Sequence, residues 1–256
     1  MTVNDAYLFL EKIAPFKYQD SYDNSGFLIG DKNAEVKKIC LALDITLDVI
    51  KEAEIKGANL IISHHPVIFK AISGVKAKTA VYELVQNDIN AICAHTNIDV
   101  THLSDIMLDL LGFSKDGREV IEVISPDGAG FGKAVDLPEA VSPEELAKKC
   151  KKAFKTPVVR YCDGRKPIMR VGVCTGAGGG AFELAVQKSC DAFITGEVKH
   201  SLFIQAKDSG ITLIDAGHFH TENFFCDFLL KKFAADFPNL TVFIAETGTD
   251  FCKYIF

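Results

Sequence analysis

Asn59-Leu60-Ile61-Ile62-Ser63-His64-His65-Pro66 is the stretch that decides the fold. Leu60-Ile61-Ile62 is a short, uncharged apolar run, the pattern of a strand covered on both faces. The proline after the two imidazoles forces an extended exit from that strand. Two later stretches repeat the arrangement. Asn90-Ala91-Ile92-Cys93-Ala94 leads into His95-Thr96-Asn97-Ile98-Asp99, and Ile211-Thr212-Leu213-Ile214-Asp215 leads to Gly217-His218-Phe219-His220-Thr221-Glu222. Buried strands separated by longer amphipathic stretches indicate an α/β fold with mostly parallel sheets. Such sheets place their chemistry just beyond the carboxyl ends of the strands.

Outward from these strands, 39–43 reads as another strand and 48–56 as a helix ending at Gly57. Helices are predicted over 79–87 and 104–111, the second stopped by Gly112. Residues 119–123 and 130–135 read as two short strands, and Ser142, Pro143 and Glu145 open a helix through a capping box with proline in its first turn. A second series follows, with strands starting at Val171, Ala192 and near Leu213, helices from Ala181, His200 and Thr221, and a last strand at 241–245. Strand positions 41, 61 and 92 correspond to roughly 173, 193 and 215. His-x-x-x-acid follows each third strand, as His95 to Asp99 and as His218 to Glu222, and His65 falls opposite Glu197. The expectation is two similar α/β domains, 1–125 with His64, His65 and Asp99, and 126–256 with His218 and Glu222, facing a shared metal crevice.

The 256 residues are 48% hydrophobic and 24% charged, an ordinary globular balance. A formal net charge of -6 argues against a general nucleic-acid or acidic-membrane binder. None of the eight cysteines forms a Cys-x-x-Cys pair and several lie in apolar runs, so they read as buried, reduced thiols of a cytoplasmic protein. Asn4 to Glu11 reads as an amphipathic helix without the basic opening of a signal peptide. No apolar run approaches the ~20 residues of a membrane span.

A lone histidine at a strand end is ordinarily structural. A His pair, a His-Asp and a His-Glu at equivalent positions together point elsewhere. On a regular strand His64 and His65 would face opposite sides, but at its end both can turn to one side. Imidazoles mixed with carboxylates suit zinc, iron, manganese, cobalt or nickel. His64, His65, Asp99, His218 and Glu222 are more donors than the three of a typical catalytic zinc, and suffice for two ions if one carboxylate bridges. Two divalent ions ~3.5–4 Å apart would clamp a hydroxide, and their surplus positive charge would draw in a small anionic substrate.

Asp23-Asn24-Ser25-Gly26-Phe27-Leu28-Ile29-Gly30, Ser63 to Pro66, His95 to Asp99, Thr195-Gly196-Glu197 and Gly217 to Glu222 occur in the order of one known family. Together they resemble the GTP cyclohydrolase I type 2 homologue family, also called Nif-three-like. The resemblance implies a dinuclear site of zinc, iron or manganese held by His64, His65, Asp99, His218 and a bridging Glu222. It also implies a ring-shaped homohexamer. His95 then stands beside the ligands as an acid/base candidate, and His220 falls outside the ligand set. The family name implies that GTP and water give formate and 7,8-dihydroneopterin triphosphate, with His95 or Glu197 moving protons. The stretch between Gly112 and Pro157 is too short for the extra domain of longer relatives, and Phe27 replaces a usual leucine.

Two other readings of the same residues stay open, another di-metal nucleotide or phosphoester hydrolase and a metal-binding regulatory scaffold. Gly176-Ala177-Gly178-Gly179-Gly180-Ala181 has the form of a dinucleotide-binding turn but equally of any tight strand-to-helix turn, or of a phosphate cradle. Lys70, Lys76 and Lys78, after the His pair, read either as solvated charge or as steering groups for a phosphorylated substrate.

Overall fold

The computed structural model describes residues 1–255. Its strands, in chain order, are β1 (Gly26–Ile29), β2 (Lys38–Ala42), β3 (Leu60–Ser63), β4 (Asn90–Cys93), β5 (Glu119–Val123), β6 (Gly130–Val141), β7 (Arg160–Cys162), β8 (Ile168–Val173), β9 (Ala192–Thr195), β10 (Thr212–Asp215) and β11 (Thr241–Ile244). They form a five-stranded sheet of order β1-β4-β3-β2-β11 and a six-stranded sheet of order β5-β6-β8-β9-β10-β7. In the first, Leu41 lies opposite Ile62, and Ile62 opposite Ile92, all in parallel. In the second, Val173 lies opposite Ile194, and Ile194 opposite Ile214, again in parallel. Each sheet thus contains three parallel strands in sequence order, as the internal repeat predicts. β3, β4, β9 and β10 are buried along their whole length, which is why they read as apolar runs rather than alternations.

Local chemistry sets the helix ends. Thr46 and Thr79 cap the helices Leu47–Lys56 and Ala80–Gln86 through their side-chain oxygens, and Gly57 closes the first of these in the left-handed conformation. The capping box of Ser142 and Glu145 opens Pro143–Ala153 as predicted. Cys40, Cys93, Cys150, Cys174, Cys190 and Cys226 are buried free thiols, and burial pushes Cys40 and Cys150 up to about 12. Among the described residues no helix is long and apolar enough to cross a membrane.

The chain divides into two compact units. One is Met1–Ile98 with Asn223–Thr249, and the other is Asp99–Glu222 with the tail from Asp250. The expected single boundary near 125 gives way to a crossing after Ile98 and a return at Asn223, so Asp99 belongs to the second unit. Pairing and packing explain the return. β11 lies parallel to β2, with Phe243 opposite Cys40, instead of extending the second sheet. Phe225, Leu229 and Phe233 of the preceding helix, Phe224–Asp236, are buried, and the Phe233 ring centroid is 4.8 Å from that of Phe9. The predicted helix from Thr221 is in fact two pieces, His218–Glu222 and Phe224–Asp236.

Candidate metal centre

In the first unit, β3 ends at Ser63 and its pairing continues into the histidines. The His64 and His65 backbone amides donate to Ala42 O and Leu43 O at 3.2 and 2.9 Å. The backbone is thereby held while the rings turn to one side, their centroids 4.9 Å apart. His95, just beyond β4, brings its ring to 5.1 Å from His64 and 5.5 Å from His65. One ring nitrogen from each of His64, His65 and His95 lies within 4.8 Å of the others.

Each of these imidazoles is anchored through Nδ1. His64 Nδ1 is 3.0 Å from Ala94 O, His65 Nδ1 is 2.8 Å from Asp44 Oδ1, and His95 Nδ1 is 2.7 Å from Asp23 Oδ1. A carbonyl or carboxylate oxygen can only accept, so the proton sits on Nδ1 and the lone pair of the neutral ring on Nε2. Metal-binding histidines are commonly oriented by such outer partners.

Asp23 organises the neighbouring loop. Its side chain is fully buried and accepts from Thr96 N at 3.1 Å, from Thr96 Oγ1, and from Ser25 Oγ at 2.8 Å. Burial pushes its carboxyl up, but the hydrogen bonds from His95, Thr96 and Ser25 outweigh that and hold it well below the usual carboxylate range. Asp23 is therefore a fixed negative charge behind the His95 ring.

In the second unit, His218 and Glu222 stand one turn apart on the short helix after β10. His218 Nδ1 is 2.9 Å from Oε2 of Glu197, which follows β9, and His218 Nε2 is 3.0 Å from Glu222 Oε2. An Nε2 proton would close this contact as an ion pair, and a cation held by both atoms would take that proton's place. Two ligand atoms ~2.1 Å from one ion and about 90° apart have about this spacing. Gly176, just beyond β8, forms the cradle. A Cβ there would lie 1.8 Å from Glu222 Oε1 and 3.2 Å from His218 Nε2. Asp99 opens the π-helical stretch Asp99–Leu103, and its Oδ1 accepts from Thr175 Oγ1 at 3.1 Å. Imidazole and carboxylate donors of this kind fit a divalent transition metal.

Each unit thus gathers its own share of the anticipated residues: His64, His65 and His95 in the first, Asp99, Glu197, His218 and Glu222 in the second. His220 lies elsewhere, with Nε2 3.3 Å from Asp250 Oδ2 in the tail. Gly176 is explained by its approach to Glu222 and its φ of +57°, with no need for a dinucleotide. Sequence reasoning missed Asp44 and Thr175, and gave Asp23 no role. Asp44 and Thr175 both lie just past the carboxyl end of a parallel strand, β2 and β8, so the rule that selected the histidines would have selected them too.

Comparison with known proteins fits this architecture. The family model for Duf34/NIF3 (NGG1p interacting factor 3) matches residues 1–250. A Clostridium acetobutylicum protein named GTP cyclohydrolase 1 type 2 homolog is 35% identical over 229 residues, covering 87% of this chain and 85% of its own. A Campylobacter jejuni protein of the same name is 33% identical over 253 residues, 96% of each chain. Among solved structures, a Staphylococcus aureus hypothetical protein superposes with a TM-score of 0.89 at 29% identity, covering 100% of this chain and 99% of its own. Reduced HcgD from Methanocaldococcus jannaschii gives a TM-score of 0.81 at 26% identity, covering 96% and 98%. With the family model spanning nearly all of the sequence and relatives above 30% identity along most of it, the chain belongs to the Duf34/NIF3 family.

Proposed function

We propose that this protein is a metal-dependent hydrolase in which His64, His65, Asp99, His218 and Glu222 hold two divalent ions, zinc, iron or manganese, with Glu222 bridging them. The observation that carries the reading is the common anchoring of His64, His65 and His218, each with Nδ1 on an oxygen acceptor, which leaves Nε2 as the atom that would serve as ligand. Bound there, a pair of divalent ions supplies Lewis-acid activation of water and of the bond to be cleaved. The protein's own groups do the rest. Asp44 and Glu197 orient His65 and His218. His95, backed by the buried charge of Asp23, takes up and returns a proton at Nε2.

The name shared by the curated relatives supports GTP as substrate, with formate and 7,8-dihydroneopterin triphosphate as products. Elemental analysis of wild type beside Glu222→Ala tests the centre. About two ions per chain in wild type, and their loss from the variant, are expected; unchanged metal in the variant would defeat the bridging role. Formate release from GTP tests the reaction. Fully metal-loaded protein that releases none removes GTP and leaves the metal centre standing. The proposal extends to a homohexameric assembly, for which light scattering should return six times the chain mass.

A further inference from the structure

We propose that Tyr22 and Phe69 form a stacking subsite for a planar heterocyclic anion beside His95. The inference rests on the hydrolase reading above and names the class of substrate that its first unit receives. Phe69 lies in the segment that leaves His64-His65-Pro66. Its ring centroid is 6.1 Å from that of His95, with the planes at 73°. Tyr22 also neighbours it, centroids 6.2 Å apart at 50°. Neither ring is buried. Tyr22 is 61% and Phe69 42% exposed, so two partly solvent-accessible aromatic residues stand next to the imidazole cluster.

Their placement is held from both sides. Asn24 Nδ2 donates to Ile68 O at 2.5 Å, tying the Tyr22 loop to the Phe69 loop. Asp23, between Tyr22 and Asn24, is buried and fastened to His95, Thr96 and Ser25. A flat ring laid against either of these two mutually tilted rings recovers dispersion and removes apolar surface from water, whatever its substituents. Charge then narrows the class. The segment 66–78 carries Lys70, Lys76 and Lys78 and no acidic residue, in a chain whose formal net charge is -6. Imidazoles at one edge and three ammonium groups along the loop match an anion with a flat ring better than a purely apolar ligand. Ile72 and Val75 extend the exposed apolar surface along the same loop, and a second copy of the chain is the rival occupant.

Calorimetric titration of metal-loaded protein with guanosine and with GTP tests the subsite, using Tyr22→Leu, Phe69→Leu, the double variant and Lys70→Glu. Each aromatic replacement is expected to weaken both ligands about tenfold with metal content unchanged. Lys70→Glu should weaken GTP several-fold and leave guanosine alone. Unaltered affinities in the double variant overturn the subsite, as does wild-type protein that binds neither ligand. A change in association state on light scattering, with nucleotide affinity intact, would overturn it in favour of the second copy. Binding without formate release removes the GTP reaction and keeps the subsite. Formate release undiminished in the double variant at sub-saturating GTP does the reverse.

Discussion

Gly176→Ala separates metal binding from folding. The added Cβ would sit 1.8 Å from Glu222 Oε1, and contact distances near ~3.5 Å are restored only if the carboxylate retreats by well over ~1 Å. The loop itself is poorly placed to give way, because Gly176 N donates to Thr221 Oγ1 at 3.1 Å and Gly176 O accepts from Gly196 N at 2.8 Å. Coordination tolerates displacements of only about 0.2 Å, so metal affinity should fall at least ~100-fold. Stability should change far less. A non-glycine residue at φ +57° costs about 1–2 kcal/mol, or roughly 2–8 °C in Tm for a chain of this size. Zinc titration against a competing chelator, beside a thermal melt of the metal-free protein, reads the two effects independently. A variant that melts a few degrees early yet binds zinc within about threefold of wild type would refute Glu222 as a ligand.

Asp44→Ala releases the His65 ring from the carboxylate that holds its Nδ1 and should lower metal affinity about 10–100-fold by the same titration. Asp23→Asn replaces the fixed charge behind His95, so kcat for formate release should fall about 100-fold with metal content retained; unchanged kcat would remove His95 from proton transfer. Glu52 is buried beside Lys56 and accepts from the Glu246 and Thr247 amides and the Thr247 hydroxyl. Burial pushes its carboxyl up, but these bonds outweigh it and bring it from the usual 4.5 down to about 2. A depressed carboxylate stabilises the fold above its unfolded value and loses that contribution as pH falls from 4.5 toward about 2. Glu52→Gln should cost about 2 kcal/mol at neutral pH and flatten the acid limb of urea midpoints; a parallel limb would contradict this account.

The parallel strands were legible because burial on both faces leaves an uninterrupted apolar run, as in Leu60-Ile61-Ile62 and Leu213-Ile214. β7 was not, since Arg160 and Tyr161 are exposed and the strand has neither an apolar run nor an alternation. β1 is hidden within a recognisable motif, and its register on β4 is irregular between Phe27 and Ile29. β11 was found as a strand but placed with the wrong sheet, because no local property of Thr241–Ile244 names β2 as its neighbour. The histidines and acids of the candidate centre stood out by chemical type and position. Their outer partners did not: Asp44 lies 21 residues from His65 and Asp23 lies 72 from His95, separations that only the folded chain brings together.

The return of β11 to the first sheet has a consequence for synthesis. β2 emerges from the ribosome roughly 200 residues before the strand that pairs with its outer edge, an interval of about 10–40 s at ordinary elongation rates. The segment Asp99–Glu222 is continuous and emerges entire within that interval. The nascent chain therefore carries an unpaired strand edge next to the one that bears His64 and His65, the kind of edge on which chains associate wrongly. Chaperone demand during translation should track the arrival of residues 241–244, and a stop codon placed just before them should leave a product far more prone to aggregate than one placed after Thr249.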